Sequence, residues 1–231
     1  MGNGPDGWLP VRMKLRILGL DEAGRGCVLG PLVVGGFLYE HEGAEPLLAC
    51  QLPLRAAGAD DSKALSARRR TSVRAGLAQL GSAHTRSIPP ARIDEGNLNA
   101  LEVDAFLDIV RQTNPDHVFL DAPVNPRGIP KLQADLVRRS GVRGWTIEPK
   151  ADATWPVVGA ASIFAKVLRD EAIEALNAEY AGVGGVGSGY PSDPVTRAWL
   201  LGFINRSEPL PTCVRTRWGT LDVLRQGSLF P

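Results

Sequence analysis

Apolar and polar positions alternate along the chain in blocks whose periods predict strands and helices in a definite order. Leu15–Leu20 is a short apolar run closed by Asp21-Glu22, and Pro31–Leu38 is a second run after a glycine-rich stretch. The pair reads as two adjacent strands joined through Ala23–Gly30. Glu40–Asp60 is rich in Pro and Ala without clear periodicity and reads as a loop. Ser66 then stands as an N-cap before the helical segment ARRRTSVRAGLAQL. Ala83–Ile88 reads as a third strand, stopped by Pro89-Pro90. From Ile93 to Thr113, the positions Ile93, Leu98, Leu101, Phe106, Ile109 and Val110 fall near helical spacing and predict one amphipathic helix.

The second half continues the alternation. His117–Asp121 is a brief buried strand ending in a carboxylate, followed by a turn, a helix over Ile129–Arg139 and a strand over Gly144–Glu148. Val158, Ile163, Val167, Ile173 and Leu176 give one apolar face to a long helix over Trp155–Tyr180, which the glycine-rich AGVGGVGSG ends. Asp193–Asn205 and Thr216–Arg225 read as two shorter helices. Strands alternating with helices after a hairpin-like start predict an α/β fold, a mixed sheet flanked by helices. Residues 1–190 then form the main body, 191–225 a small C-terminal helical appendage and 226–231 a tail.

A length of 231 residues with 44% hydrophobic content suffices for one substantial core. The formal net charge is +1, so any contact with a polyanion must come from local patches. Cys27, Cys50 and Cys213 are widely spaced, which argues against a disulfide framework or a zinc site, and His41, His84 and His117 are equally scattered. A bound metal would therefore be held by carboxylates. The N-terminus MGNGPDGWLPVRMKLRILGL is neither a secretory signal nor a membrane span, and the expected compartment is the cytoplasm.

The candidate chemistry sits at element ends. Asp21 and Glu22 close the first strand, Asp121 closes a later one, and Asp152 precedes the long helix. A single Asp is more often a cap or a surface charge than a ligand. Asp21 and Asp121, however, each terminate an apolar run, where a buried charge needs a reason. Phosphodiester hydrolysis with two Mg2+ or Mn2+ ions needs about three or four carboxylates, because these hard cations take oxygen ligands.

Five segments carry a family resemblance. LDEAGRGCVLGPLVVGG is similar to the ribonuclease HII signature DEAGRGxxxGPxVV, and Asp61-Ser62-Lys63 with Leu65-Ser66 is similar to its DSKxLS element. Asp121 stands in its hydrophobic-Asp motif, KADATWPVVGAASIFAKVLRD resembles KADxxxPVVxAASIxAKVxRD, and GSGYPSDPVT resembles GSGYPSDPxT. The matches keep the family's order from about residue 17 to residue 220. The GSGYPSDP form and Val214–Trp218 are closer to the archaeal and eukaryotic branch.

This resemblance implies a type 2 ribonuclease H. The implied activity is metal-dependent endonucleolytic cutting of the RNA strand of RNA–DNA hybrids, with incision 5′ of single ribonucleotides in duplex DNA and 5′-phosphate products. Asp21, Glu22, Asp121 and Asp152 are the implied metal-binding acids. Gly24, Arg25, Gly26 and Tyr190 are the implied readers of the 2′-hydroxyl, the group that separates RNA from DNA. Taken alone, Gly24–Gly26 equally suits a simple hairpin turn, and Tyr190 a core residue.

Lys63, Ser162 and Lys166 are candidates for phosphate contact. Arg68, Arg69, Arg70 and Arg74 form the densest basic cluster, and a solvated helix face is the plainer account of Arg68–Arg70. The chain departs from the family pattern at Cys27, Ala64 and Thr154. Ribonuclease HIII usually carries an extra N-terminal domain, for which too little chain precedes Asp21. A nucleotide-binding module would need a Walker lysine-serine pair that GRGCVLG lacks, and a non-catalytic hybrid binder would be expected to have lost one of the four acids. The ending Gln226-Gly227-Ser228-Leu229-Phe230 resembles the Q-x-x-L-F peptide that docks in a sliding clamp, with Gln226, Leu229 and Phe230 as anchors.

Overall fold

The computed structural model describes residues 14–43, 45–59 and 65–227. Among these the order is β1 (Lys14–Ala23), β2 (Leu32–Glu42), α1 (Leu52–Ala56), α2 (Ala67–Leu77), β3 (Gly81–Ile88), α3 (Pro90–Glu95) and α4 (Leu98–Thr113). Then come β4 (His117–Asp121), α5 (Ile129–Ser140), β5 (Gly144–Glu148), α6 (Ala151–Thr154), α7 (Pro156–Glu179), α8 (Pro194–Asn205) and α9 (Gly219–Gly227). The strands form one mixed sheet in the order β3-β2-β1-β4-β5. β1 and β2 are antiparallel, as are β2 and β3, whereas β4 runs parallel to both β1 and β5.

Alternation along the strands fills two cores. Ile17, Phe37 and Phe119 pack with α1, α2 and α7 on one face. Leu18, Leu20, Val34, Val118 and Leu120 pack with α4 and α5 on the other. A third cluster joins Val28, Leu29 and Val186 to Trp199 and Leu200 of α8 and Leu221 and Leu224 of α9.

The long helix α7 lies unusually close to the sheet, and two glycines permit this. A Cβ on Gly19 would stand 2.1 Å from the Val157 carbonyl oxygen, and one on Gly35 would stand 2.4 Å from that of Ala161. With hydrogen in place of a methyl group, the backbone of α7 rests on β1 and β2 and brings its second turn to the end of β1.

Two expectations need correction. Glu40–Asp60 contains the end of β2 and the short helix α1, formed because Cys50 and Leu54 are buried against the α7 face. The helix over Ile93–Thr113 is two helices. Pro89-Pro90 starts α3 as well as stopping β3, and Asn97 caps α4 by accepting from the Ala100 N–H at 3.1 Å. The helix over Trp155–Tyr180 is borne out as α7, with those two residues as its caps and extended Trp155 separating it from α6. No helix among the described residues is long and apolar enough to cross a membrane.

Candidate active site

Parallel pairing decides which acids meet. Leu20 and Leu120 are register partners on β1 and β4, so Asp21 and Asp121, one residue further along, emerge side by side at the same sheet edge. Both point to the α7 face, like Ile17 and Phe119 two or four residues earlier. After β5 the chain turns back through Lys150, a non-glycine residue at φ 58°, into α6. The Ala151 N–H donates to Asp121 Oδ1 at 3.0 Å, which fixes the start of α6 and carries Asp152 into the group. One carboxylate oxygen from each of Asp21, Asp121 and Asp152 lies within 4.8 Å of the others.

Glu22 faces the other way. Alternation turns it toward α4, and its Oε2 is buried without a hydrogen-bond partner among the described residues. It still feels the charges of Asp21 and Asp121.

The electrostatics are those of crowded, buried acids. Burial, then the charges of Asp121 and Asp152, push Asp21 up to about 7 against hydrogen bonds from the Ser162 hydroxyl and the Glu22 N–H, the latter at 2.7 Å. Burial and the Asp21, Glu102 and Asp121 charges likewise raise Glu22 well above the usual carboxylate range. Crowded, buried carboxylate oxygens and an orphaned Glu22 oxygen fit hard divalent cations such as Mg2+ or Mn2+.

Beside the acids, a cavity of about 230 Å³ is lined by Glu22, Ala23, Gly24, Arg25, Gly26, Ser162, Lys166 and Tyr190. Gly24 has φ +83°, and a Cβ there would meet the Pro31 carbonyl at 2.8 Å. Gly26 is under no such constraint, since nothing lies within 4 Å of its Cβ position. The Lys166 ammonium pairs with Asp170. Lys63 lies outside the described residues, as do Leu229 and Phe230, while Gln226 is exposed near the end of α9. The basic run divides. Arg70 is buried against Asp170 and Arg74 pairs with Glu171, whereas Arg68 and Arg69 are exposed. A larger, mostly apolar cavity of about 630 Å³ around Tyr180, Trp199 and Phe203 has no acid in its lining, so chemistry rather than size picks out the site.

The model of the ribonuclease HII family matches residues 18–221, which include every acid of the cluster. The chain belongs to the ribonuclease HII family. Ribonuclease HII of Methanocorpusculum labreanum is 38% identical over 93% of this chain and 96% of its own. That of Archaeoglobus fulgidus is 37% identical over 91% and 97%. The structure of ribonuclease H2 from Pyrococcus horikoshii matches with a TM-score of 0.79 at 32% identity, over 94% of this chain and all of that one. Ribonuclease HIII structures share the fold at 19% identity. Membership in ribonuclease HII makes the chain a metal-dependent endonuclease that cleaves RNA in RNA–DNA hybrids.

Sequence reading of this ribonuclease HII chain passed over three charged side chains around the cavity. Arg215 is fully buried, stacks over Trp218 at 4.9 Å and donates to three carbonyls, Gly24 at 2.7 Å and Arg25 and Gly30 at 3.0 Å. Arg169, also buried, lies 4.9 Å under the Tyr190 ring and donates to the Ser188 carbonyl and to Cys27 Sγ. Glu102 on α4, with no exposure, pairs with Arg25. Arg169 and Arg215 stand inside segments that resemble the family's, a signal that could have found them, whereas Glu102 stands in none of those segments.

Proposed function

We propose that this enzyme incises duplex DNA on the 5′ side of a single embedded ribonucleotide, besides cutting longer RNA–DNA hybrids, by two-metal phosphodiester hydrolysis. The observation that carries the reading is the convergence of Asp21, Asp121 and Asp152 beside the Gly24–Gly26 cavity. In this reading Asp21, Glu22, Asp121 and Asp152 hold two divalent ions, Mg2+ or Mn2+. When bound, such ions activate the attacking water and stabilise the departing 3′ oxygen.

The chain's own groups position the substrate. The Ser162 hydroxyl orients Asp21. Gly26 leaves space for a sugar, and backbone N–H groups of the turn are available to its 2′-hydroxyl. Tyr190, held over Arg169, gives that sugar an apolar wall and a hydroxyl. Lys63 and Lys166 take up phosphate charge. Residues 1–190 act as the catalytic body, and the appendage 191–225 supplies Arg215 as a strap on the turn.

The Archaeoglobus fulgidus relative has been solved as a complex with the clamp PCNA. That complex and the Gln226–Phe230 pattern support a sliding clamp as partner for this chain. Unchanged clamp affinity after deletion of residues 226–231, read by calorimetry, would end that part of the proposal. The main test is cleavage of a duplex carrying one ribonucleotide, with and without Mg2+ or Mn2+, by wild type and Asp121→Asn. Metal-dependent cutting 5′ of the ribonucleotide, lost in the variant, is the expected result. Cleavage of hybrids alone would refute the single-ribonucleotide activity.

A further inference from the structure

We propose that Glu102 and Asn99, on the first turns of α4, are positioning residues that fix the Arg25 guanidinium for contact with the ribonucleotide-bearing strand. The inference rests on the proposed single-ribonucleotide activity and assigns α4 a part in it. Arg25 Nε donates to both carboxylate oxygens of Glu102 at 3.1 Å, and its Nη2 donates to Asn99 Oδ1. These bonds use one edge of the guanidinium. The remaining amine, Nη1, has no hydrogen-bond partner among the described residues, and Arg25 lines the cavity beside Gly24 and Gly26.

The exposures are unequal in an informative way. The Glu102 side chain has 0% exposure and that of Arg25 33%. A half-exposed Arg needs no buried partner for its own stability, whereas a fully buried carboxylate on α4 is tolerated only when paired. The pair therefore does little for Arg25 as a soluble side chain and much for its direction. A tethered guanidinium presents a pre-ordered fork of donors, and binding a phosphodiester then costs less side-chain freedom than an untethered Arg would lose. Glu22 lies within electrostatic reach of both Arg25 and Glu102, so the same tether keeps the guanidinium beside the acid cluster.

The test is a double-mutant cycle on the full chain with Mg2+, using a duplex with one ribonucleotide. Wild type, Glu102→Gln, Arg25→Ala and the double variant are compared in KM and kcat, with thermal melting of each. Glu102→Gln should raise KM roughly 10-fold with kcat within about 2-fold, and it should add nothing on the Arg25→Ala background. Multiplying effects in the double variant, an unchanged KM or a loss confined to kcat would overturn the inference. If Glu102→Gln does not fold, the exposed Asn99→Ala runs the same cycle and must meet the same criterion. Failure of wild type to cut this duplex would sink the parent reading and the inference with it. Wild-type cutting with a multiplicative cycle would sink the inference alone.

Discussion

Gly19 of β1 and Val157 of α7 meet so closely that a Cβ at residue 19 would stand 2.1 Å from the Val157 carbonyl oxygen. The obstacle is backbone, so it cannot swing aside as a side-chain tip would. Gly19→Ala should lift α7 from β1, separate Ser162 from Asp21, destabilise the chain by about 1–3 kcal/mol and cut hybrid cleavage sharply. Chemical denaturation and a cleavage assay check both effects, and unchanged stability would mean that α7 can lie elsewhere.

The acid cluster gives the metal-free chain an unusual pH response. Asp21 titrates near 7 when folded, against an ordinary value of 3.8. Proton uptake therefore favours the fold fully below about pH 4, and that stabilisation is lost as pH rises through about 7. Glu22 shifts in the same direction. Melting of the metal-free chain should fall across this window, and added Mg2+ should raise the melting temperature more at pH 8 than at pH 5.5. Below pH 7, metal affinity should weaken by up to about tenfold per pH unit as Asp21 holds its proton. A flat profile would contradict the crowding.

Ser162→Ala removes the hydrogen bond that holds Asp21 down. The acidic limb of the pH–rate profile should move to higher pH, with a large loss near pH 6.5 and a smaller one at pH 8.5. A uniform loss at all pH values would show that Ser162 acts otherwise.

Arg215 ties the segment between α8 and α9 to the turn through the carbonyls of Gly24, Arg25 and Gly30. Arg215→Met keeps much of the volume over Trp218 but leaves three carbonyls without that donor. Destabilisation of about 3 kcal/mol or more is expected, with a rise in KM for the single-ribonucleotide duplex. Arg215→Lys should recover only part of either loss, since an ammonium cannot reproduce the planar fork. Denaturation and steady-state kinetics read both.

Much of this was legible in the chain and some was not, for physical reasons. Apolar runs ending in Asp21 and Asp121 marked β1 and β4, because burial on both faces suppresses polar residues until the sheet edge. Their meeting depends on the Leu20–Leu120 register, which no local pattern encodes. Asp21 and Glu22 read as one unit in sequence, yet only Asp21 joins Asp121 and Asp152 in the three-acid group, while Glu22 also feels the charge of Glu102. The break between α3 and α4 was hidden because apolar spacing continues through Gly96-Asn97, while the Asn97 cap ends the register locally. Arg215 lay 191 residues from the Gly24 carbonyl it serves, beyond the reach of any periodicity.

The two glycines of the turn differ in what the fold demands of them. Gly24 sits at φ +83° with the Pro31 carbonyl 2.8 Å from a would-be Cβ, so Gly24→Ala should lower stability and activity together. Gly26 has an ordinary φ and open space, so nothing in the fold requires glycine there. Gly26→Ala should melt within about 1 °C of wild type, since a surface methyl without contacts changes stability by at most a few tenths of a kcal/mol. Gly26 nevertheless lines the cavity together with Tyr190 and Ser162, and on the proposed reading a methyl group there takes space from the sugar. Cleavage beside a single ribonucleotide should therefore fall at least about 10-fold, by exclusion of the sugar rather than loss of fold. Full activity in Gly26→Ala would place the sugar elsewhere, and the reading of this turn as the ribose sensor would fail with it.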